Sequence, residues 1–277
     1  MDSEDLIYQI IDLALLEDGR DKTSEAIFEK DKSLDAFMVA KEKGIIAGID
    51  IAQKVFKRQD CSVSFQANVA DGSRISRGEK IATIHGLARS IFKAERVALN
   101  FLQRMSGIAT ITAEYVKRLQ GTKAKLLDTR KTVPGHRILD KLAVRLGGGM
   151  NHRMGLYDMA LIKDNHIDAA GSIEKAVKKV RERFPKLPIE VEARSVSDVE
   201  ELLGLGVDRI MLDNFSLEDM KEAVRITDGR IPLEASGGIT LDNIREVALT
   251  GVDYISVGAL THSVKALDIT LLVEGIS

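Results

Sequence analysis

Six short apolar runs in the second half of the chain end in residues that can do chemistry: AKLLDTRK, DMALIKDNH, PIEVEAR, DRIMLDNF, IPLEASGG and DYISVGAL. The early runs supply cations (Arg130, Lys131, Lys163), the middle ones carboxylates (Glu192, Asp213), and the last a hydroxyl and glycines (Ser236, Gly237, Gly238, Gly258). Arginine grips carboxylates and phosphates through paired hydrogen bonds and lysine adds a point charge, so a mixture of both suits a small ligand with several anionic groups. Glycine lets backbone N–H groups approach an oxyanion, which fits SGGIT and VGALT to a phosphate. Residues 126 to 166 concentrate the base, with seven Lys or Arg against four Asp and three of the five histidines. Arg137, Lys141 and Arg145 read as the solvated face of a helix. Arg130, Lys131, His152, Arg153 and Lys163 flank strand ends or the GGG turn, and read as a local anion site.

These residues need a scaffold that brings them together. With Asp128, Lys163, Glu192, Asp213, Ser236 and Gly258 as strand-end markers, the intervals are 35, 29, 21, 23 and 22 residues, each holding an amphipathic helical stretch. Such alternation demands parallel strands with right-handed crossovers. Six or seven strands make an incomplete barrel, whose function sits at the C-terminal strand ends. The front of the chain differs. Leu6, Ile7, Ile10, Ile11 and Leu13 are spaced as a helix, and residues 34 to 88 read as short strands LDAFMVA, GIIAGI, SVSFQANVA and KIATIHGLA. A long helix follows from 89 to about 120, with Ile91, Ala94, Val97, Ala98, Phe101, Leu102 and Met105 as its buried stripe and Gly107 as a point of interruption.

Composition sets the outer limits. The 277 residues are 44% hydrophobic and 30% charged, the balance of an ordinary globule rather than a disordered or fibrous chain. Lys plus Arg number 40 against 42 acids, a net charge of -2, so no overall positive field recruits nucleic acid or a membrane surface. One cysteine, Cys61, forbids an internal disulfide and a cysteine-based zinc cluster. The acidic opening MDSEDL is unlike a signal peptide, and a cytoplasmic location is expected. Neither GxxxxGK[ST] nor a GxGxxG helix opening is present, which disfavours P-loop and Rossmann enzymes. His85 and Cys61 have only core or hairpin readings.

DTRKTVPGHR, KLAVRLGGGMNHR, ALIKDNHI, IEVEA, IMLDNF, EASGGIT and ISVGALTHS, with the helical AERVALNFLQRMSGIAT, closely resemble the quinolinate phosphoribosyltransferase family along nearly the whole chain. The resemblance implies an α/β fold: an N-terminal α/β sandwich over residues 1–109, joined by a C-terminal segment 263–277, and an incomplete parallel β/α barrel over 110–262. It implies a pentosyltransferase of NAD biosynthesis, joining quinolinate to phosphoribosyl pyrophosphate with loss of carbon dioxide. The quinolinate side would be Arg130, Lys131, His152, Arg153 and Lys163, with Arg96 of AER donated across a homodimer. The phosphoribosyl side would be Glu192 and Asp213 near the ribose and Mg2+, with Ser236, Gly237, Gly258 and His262 around a phosphate. In this scheme the pyridine nitrogen attacks the ribosyl C1 and Glu192 and Asp213 stabilise the positive sugar; the sequence leaves the proton donor after decarboxylation open, with Lys131 a candidate by position. His136 and Tyr157 stand where the family varies.

Three other functions fit parts of the pattern. They are a ModD-like phosphoribosyltransferase with another acceptor, a barrel lyase or isomerase forming a Schiff base at Lys131 or Lys163, and a non-catalytic sensor of phosphorylated ligands. LIKDNH argues against the first. Release of pyrophosphate separates an enzyme from the third.

Overall fold

The computed structural model describes residues 3–274, so residues 1, 2 and 275 to 277 of the expected domains lie outside it. The chain divides into two units, one comprising Met1–Ala113, Thr132–Gly148 and Ser263–Ser277, the other Glu114–Lys131 and Gly149–His262. Residues 132–148, expected within the barrel, belong to the first unit. That excursion explains why the first strand-end interval is the longest.

The first unit contains α1 (Ser3–Asp18), α2 (Lys22–Ile27), β1 (Ser33–Ala40), β2 (Gly44–Ile45), α3 (Ile49–Gln59), β3 (Ser64–Ala67), β4 (Arg74–Ile75) and β5 (Lys80–Leu87). It also contains most of α4 (Ala88–Arg118), and α5 (Arg137–Leu146). After the second unit, with β6 to β11 and α6 to α11, the chain adds β12 (Ile269–Val273). An antiparallel sheet runs β12-β1-β5-β3, and β2 pairs with β4 alone. In β1 the alternate residues Ala36, Met38 and Ala40 are fully buried, the period of a strand with one face in a core.

Helix α3 corrects the expectation of strands through 34–88. The run GIIAGIDIA is apolar enough to pass for a strand, but Ile51, Ala52, Val55 and Phe56 are buried with helical spacing. Gly48, at φ +98, turns the chain into the helix. The stripe expected on α4 is buried, each of its seven residues at 5% exposure or less. Gly107 does not interrupt that helix. A Cβ there would lie 2.2 Å from the Lys265 carbonyl oxygen, so glycine permits the C-terminal segment to pass close against the helix. Lys141 is a second correction: it is fully buried and engaged, whereas Arg145 is exposed. Burial on α5 covers Leu139, Asp140, Lys141, Ala143 and Val144, a wider arc than its apolar residues define.

In the second unit the strands are β6 (Lys125–Leu127), β7 (Ala160–Ile162), β8 (Ile189–Ala193), β9 (Arg209–Asp213), β10 (Leu233–Ser236) and β11 (Tyr254–Ser256). They form one parallel sheet in the order β6-β11-β10-β9-β8-β7. The crossovers carry α6 (Asp164–Ala170), α7 (Ile173–Arg183), α8 (Val196–Leu202), α9 (Leu217–Thr227), α10 (Ile244–Leu249) and α11 (Ala259–His262). Ser172, Ser195 and Ser216 cap α7, α8 and α9 by accepting the amides of Lys175, Asp198 and Asp219 at 3.1–3.2 Å. Ile189, Val191 and Ala193 on β8 and Ile210 and Leu212 on β9 are buried on one face. The opposite face carries Glu190, Glu192, Arg209 and Asp213. This two-residue alternation sends charge to one side of the sheet and apolar bulk to the other.

Within the first unit, buried Asp140 receives Arg104 through both oxygens, Nε to Oδ1 at 3.0 Å and Nη2 to Oδ2 at 2.8 Å. Removing one member of a buried pair leaves an uncompensated charge. Asp140→Ala is expected to cost roughly 3–5 kcal/mol of stability, measured by denaturant unfolding.

Candidate active site

A cavity of about 580 Å3 opens at the C-terminal ends of β9, β10 and β11. Six residues expected at the site line it together: Lys131, Asp213, Ser236, Gly237, Gly258 and His262. Ser236 lies opposite Asp213 in the β10–β9 register. Asn214, Thr129, Thr240 and Ser256 also line the cavity and were not anticipated. Asn214 has a discernible cause. It adopts the left-handed conformation at φ 55, which asparagine tolerates better than most residues, and its amide donates to the Ser236 carbonyl at 2.9 Å. Its side-chain Nδ2 donates to Asp213 Oδ2 at 3.0 Å, and Oδ1 of that carboxylate has no hydrogen bond among the described residues. Gly237, at φ +96, is packed beneath it, and a Cβ there would stand 2.1 Å from Asn214 Oδ1.

Lys131 is held through its backbone. Its amide donates to Thr129 Oγ1 at 3.0 Å and its carbonyl accepts from Thr261 Oγ1 at 2.7 Å. The lysine stem lies over Gly258, where a Cβ would meet Lys131 Cδ at 2.9 Å and His262 Cδ2 at 3.1 Å. Glycine at 258 thus leaves room for both side chains. The ammonium carries no carboxylate partner among the described residues.

Arg130, Arg153, Lys163 and Glu192 form a second cluster at the strand ends. Lys163 Nζ and Glu192 Oε1 make a close ion pair. Arg130 makes no hydrogen bond or ion pair among the described residues, and its Nε is buried without a partner. Arg153 donates Nη1 to the Met159 carbonyl at 2.9 Å and forms no ion pair among the described residues. Burial, then the neighbouring charge of Arg130, lowers the proton affinity of the Arg153 guanidinium, with Glu190 and Glu192 opposing the shift. Two arginines side by side with unspent donors are a poor arrangement for an empty site and a good one for an anion.

His152, expected on the quinolinate side, lies beneath the mouth. The ring is buried, its Nδ1 accepts the Arg153 amide at 2.7 Å, and its Nε2 faces Glu190 Oε2 at 2.9 Å and Glu234 Oε2 at 3.5 Å. Both ring nitrogens are turned to protein groups. The backbone of the same residue donates to Asp128 Oδ1 at 2.8 Å, and Asn151 Nδ2 donates to Asp128 Oδ2 at 2.6 Å. Buried Asp128 therefore ties the loop after β6 to the NHR segment. Glu190 and Glu234, fully buried, escaped the sequence reading. Their signal was present: each lies two residues before an expected mouth residue, on the same strand face.

Arg209 Nη1 contacts Glu234 Oε2 at 2.8 Å and stacks 4.3 Å above the Tyr254 ring. Burial, and next the adjacent Glu190, push Glu234 up to about 7, and burial also raises Glu190. His152, Glu190 and Glu234 are close enough to share a metal ion. They do not suit Mg2+, which seeks oxygen ligands in an octahedron with retained water, and Arg209 already supplies the cation. Asp213 suits it better, with one carboxylate oxygen unspent beside the glycines. Glu192 has one oxygen engaged by Lys163. Arg96 stands in the first unit, exposed on α4, without a hydrogen bond or ion pair among the described residues.

Residues 108–272 match the family described as Quinolinate phosphoribosyl transferase, C-terminal domain, and residues 21–106 match its N-terminal domain. The mitochondrial, decarboxylating quinolinate phosphoribosyltransferase 2b of Nicotiana tabacum is 45% identical, over 96% of this chain and 82% of the relative. The carboxylating nicotinate-nucleotide pyrophosphorylase of Mycobacterium leprae (strain TN) is 46% identical over 91% of each. The crystal structure of NadC from Streptococcus pyogenes is similar at a TM-score of 0.94 with 42% identity, covering 99% of both chains.

Two outcomes test this geometry. Gly237→Ala should displace Asn214 and with it Asp213, costing about 1–3 kcal/mol of stability and weakening pyrophosphate binding measured by calorimetry. The Glu234 carboxyl loses its proton near 4.5 when unfolded but about 7 when folded, so its contribution to stability is present at low pH and lost as pH rises. Melting temperature should therefore fall between about pH 5 and pH 8, and Glu234→Gln should flatten the profile.

Proposed function

The chain belongs to the quinolinate phosphoribosyltransferase family, decarboxylating pentosyltransferases of NAD biosynthesis, and from that premise we propose how its strand-end residues divide the work. Arg130 and Arg153 grip the two carboxylates of quinolinate, with Lys163 beside them. The observation that carries this assignment is the pair of neighbouring guanidinium groups without carboxylate partners. Two adjacent carboxylates on a planar ring supply the missing counter-charge. His152 serves this side through the Arg153 backbone.

The cavity lined by Ser236, Gly237, Gly258 and His262 takes the phosphate of phosphoribosyl pyrophosphate, where glycine allows close backbone approach. Asp213, oriented by Asn214, faces the ribose as positive charge develops at C1 during attack by the pyridine nitrogen. Bond formation to that nitrogen makes it cationic, and the neighbouring carboxylate then leaves as carbon dioxide because the carbanion left behind lies beside positive charge. Lys131 delivers the proton to C2, a role supported by its position on the cavity wall and by the lack of a carboxylate partner for its ammonium among the described residues. Asp213, joined by Glu192 when Lys163 turns to substrate, would hold Mg2+, which neutralises charge on departing pyrophosphate.

Arg96 acts in a homodimer, offered to the barrel mouth of the second copy; its exposed, unspent guanidinium supports this role. Among the described residues no helix is long and apolar enough to cross a membrane. A cytoplasmic location is supported by the single cysteine, although plant relatives include forms named mitochondrial and chloroplastic.

The protein with quinolinate, phosphoribosyl pyrophosphate and Mg2+ should yield nicotinate mononucleotide and stoichiometric carbon dioxide. Arg153→Ala should cost roughly 2–5 kcal/mol of quinolinate affinity, read from KM or calorimetry. An unchanged quinolinate KM would remove Arg153 from the pocket.

A further inference from the structure

One layer below the mouth, the sheet carries charge where barrels usually carry aliphatic side chains. Glu190 precedes Glu192 by two residues, Glu234 precedes Ser236 by two, and Arg209 precedes Asp213 by four, so each points to the same side as the mouth residue above it. Burying such a cluster is costly, and well-packed apolar replacements are often neutral or stabilising. Stability alone gives no reason for it.

The contacts of His152 supply one. Its Nδ1 accepts the Arg153 amide, and a nitrogen accepting an N–H cannot itself carry a proton. The neutral ring therefore holds its proton on Nε2, the nitrogen that lies 2.9 Å from Glu190 Oε2 and 3.5 Å from Glu234 Oε2, close to both oxygens but not aligned as a hydrogen bond to either. Glu234 is in turn fixed by Arg209 at 2.8 Å. Were the proton on Nδ1 instead, it would face the Arg153 N–H, donor against donor, and push that residue's backbone away.

We propose that Glu190, braced by Glu234 and Arg209, is a positioning residue that selects the His152 tautomer and thereby sets the backbone from which Arg153 reaches quinolinate. This rests on the reading that Arg153 binds quinolinate. The acidic pair acts through the histidine and touches no substrate. The carboxyl oxygens of Glu190 and Glu234 beside Nε2 favour the tautomer that carries its proton there through their charge, without an aligned hydrogen bond, so the ring keeps one orientation while the mouth exchanges ligands.

The test compares Glu190→Leu, Glu190→Gln and Arg153→Ala, with kcat and both KM values measured, alongside 15N spectra of histidine-labelled protein. Wild-type His152 should be protonated on Nε2 alone. Glu190→Leu should raise the quinolinate KM roughly tenfold or more, as loss of an outer partner commonly does, with little change for phosphoribosyl pyrophosphate. Glu190→Gln, whose amide oxygen still places partial negative charge beside Nε2, should restore most of the loss. A wild-type His152 protonated on Nδ1 overturns the proposal even if the leucine variant does not fold. So does a folded leucine variant whose quinolinate KM is unchanged, or whose two KM values rise equally. If Arg153→Ala leaves the quinolinate KM untouched, the assignment of that arginine fails, while the tautomer measurement still reports on the buried cluster separately.

Discussion

Like charges held side by side, with acids near but none ion-paired to either, set the terms for the second unit. Arg130 and Arg153 are close enough to disturb one another, and neither has a carboxylate partner among the described residues. In an ordinary fold such neighbours turn outward to water or find acids. Here the backbone around them is fixed instead. Asp128 accepts from both Asn151 and the His152 amide, and the His152 ring accepts the Arg153 amide. An anion placed between them would offset a repulsion that the folded chain already bears.

The alternation of parallel strands makes this arrangement possible. A residue and its neighbour two places on share a face, so one strand can offer a mouth residue and a deeper support. β8 does this with Glu192 above Glu190, and β10 with Ser236 above Glu234. The outward residues of the same strands remain aliphatic and pack under helices. Active-site chemistry and core packing are therefore written on alternate positions of the same short segments.

Much of this was legible in the sequence. The repeat from Asp128 to Gly258 gave the parallel sheet, because strand-then-helix spacing leaves few other topologies. Sorted residue types at strand ends gave the cavity lining. Reading failed where an apolar run had two possible periods, as at α3, or where charge was buried, as with Lys141. The protein contacts of the His152 ring are not legible in the sequence, because position along a chain does not reveal which way a ring turns. Glu190 and Glu234 went unread because the pattern of polar residues at strand ends draws attention to the last residue and away from the one beneath it.

The pairing of β12 with β1 has a consequence during synthesis. β1 lies between β5 and β12, and the latter is supplied only by residues 269–273. While a ribosome works through the intervening sequence, β1 has a strand on one side and bare amides and carbonyls on the other. A nascent chain in that condition is a template for another copy's strand, so prompt completion or a chaperone's shelter guards against aggregation.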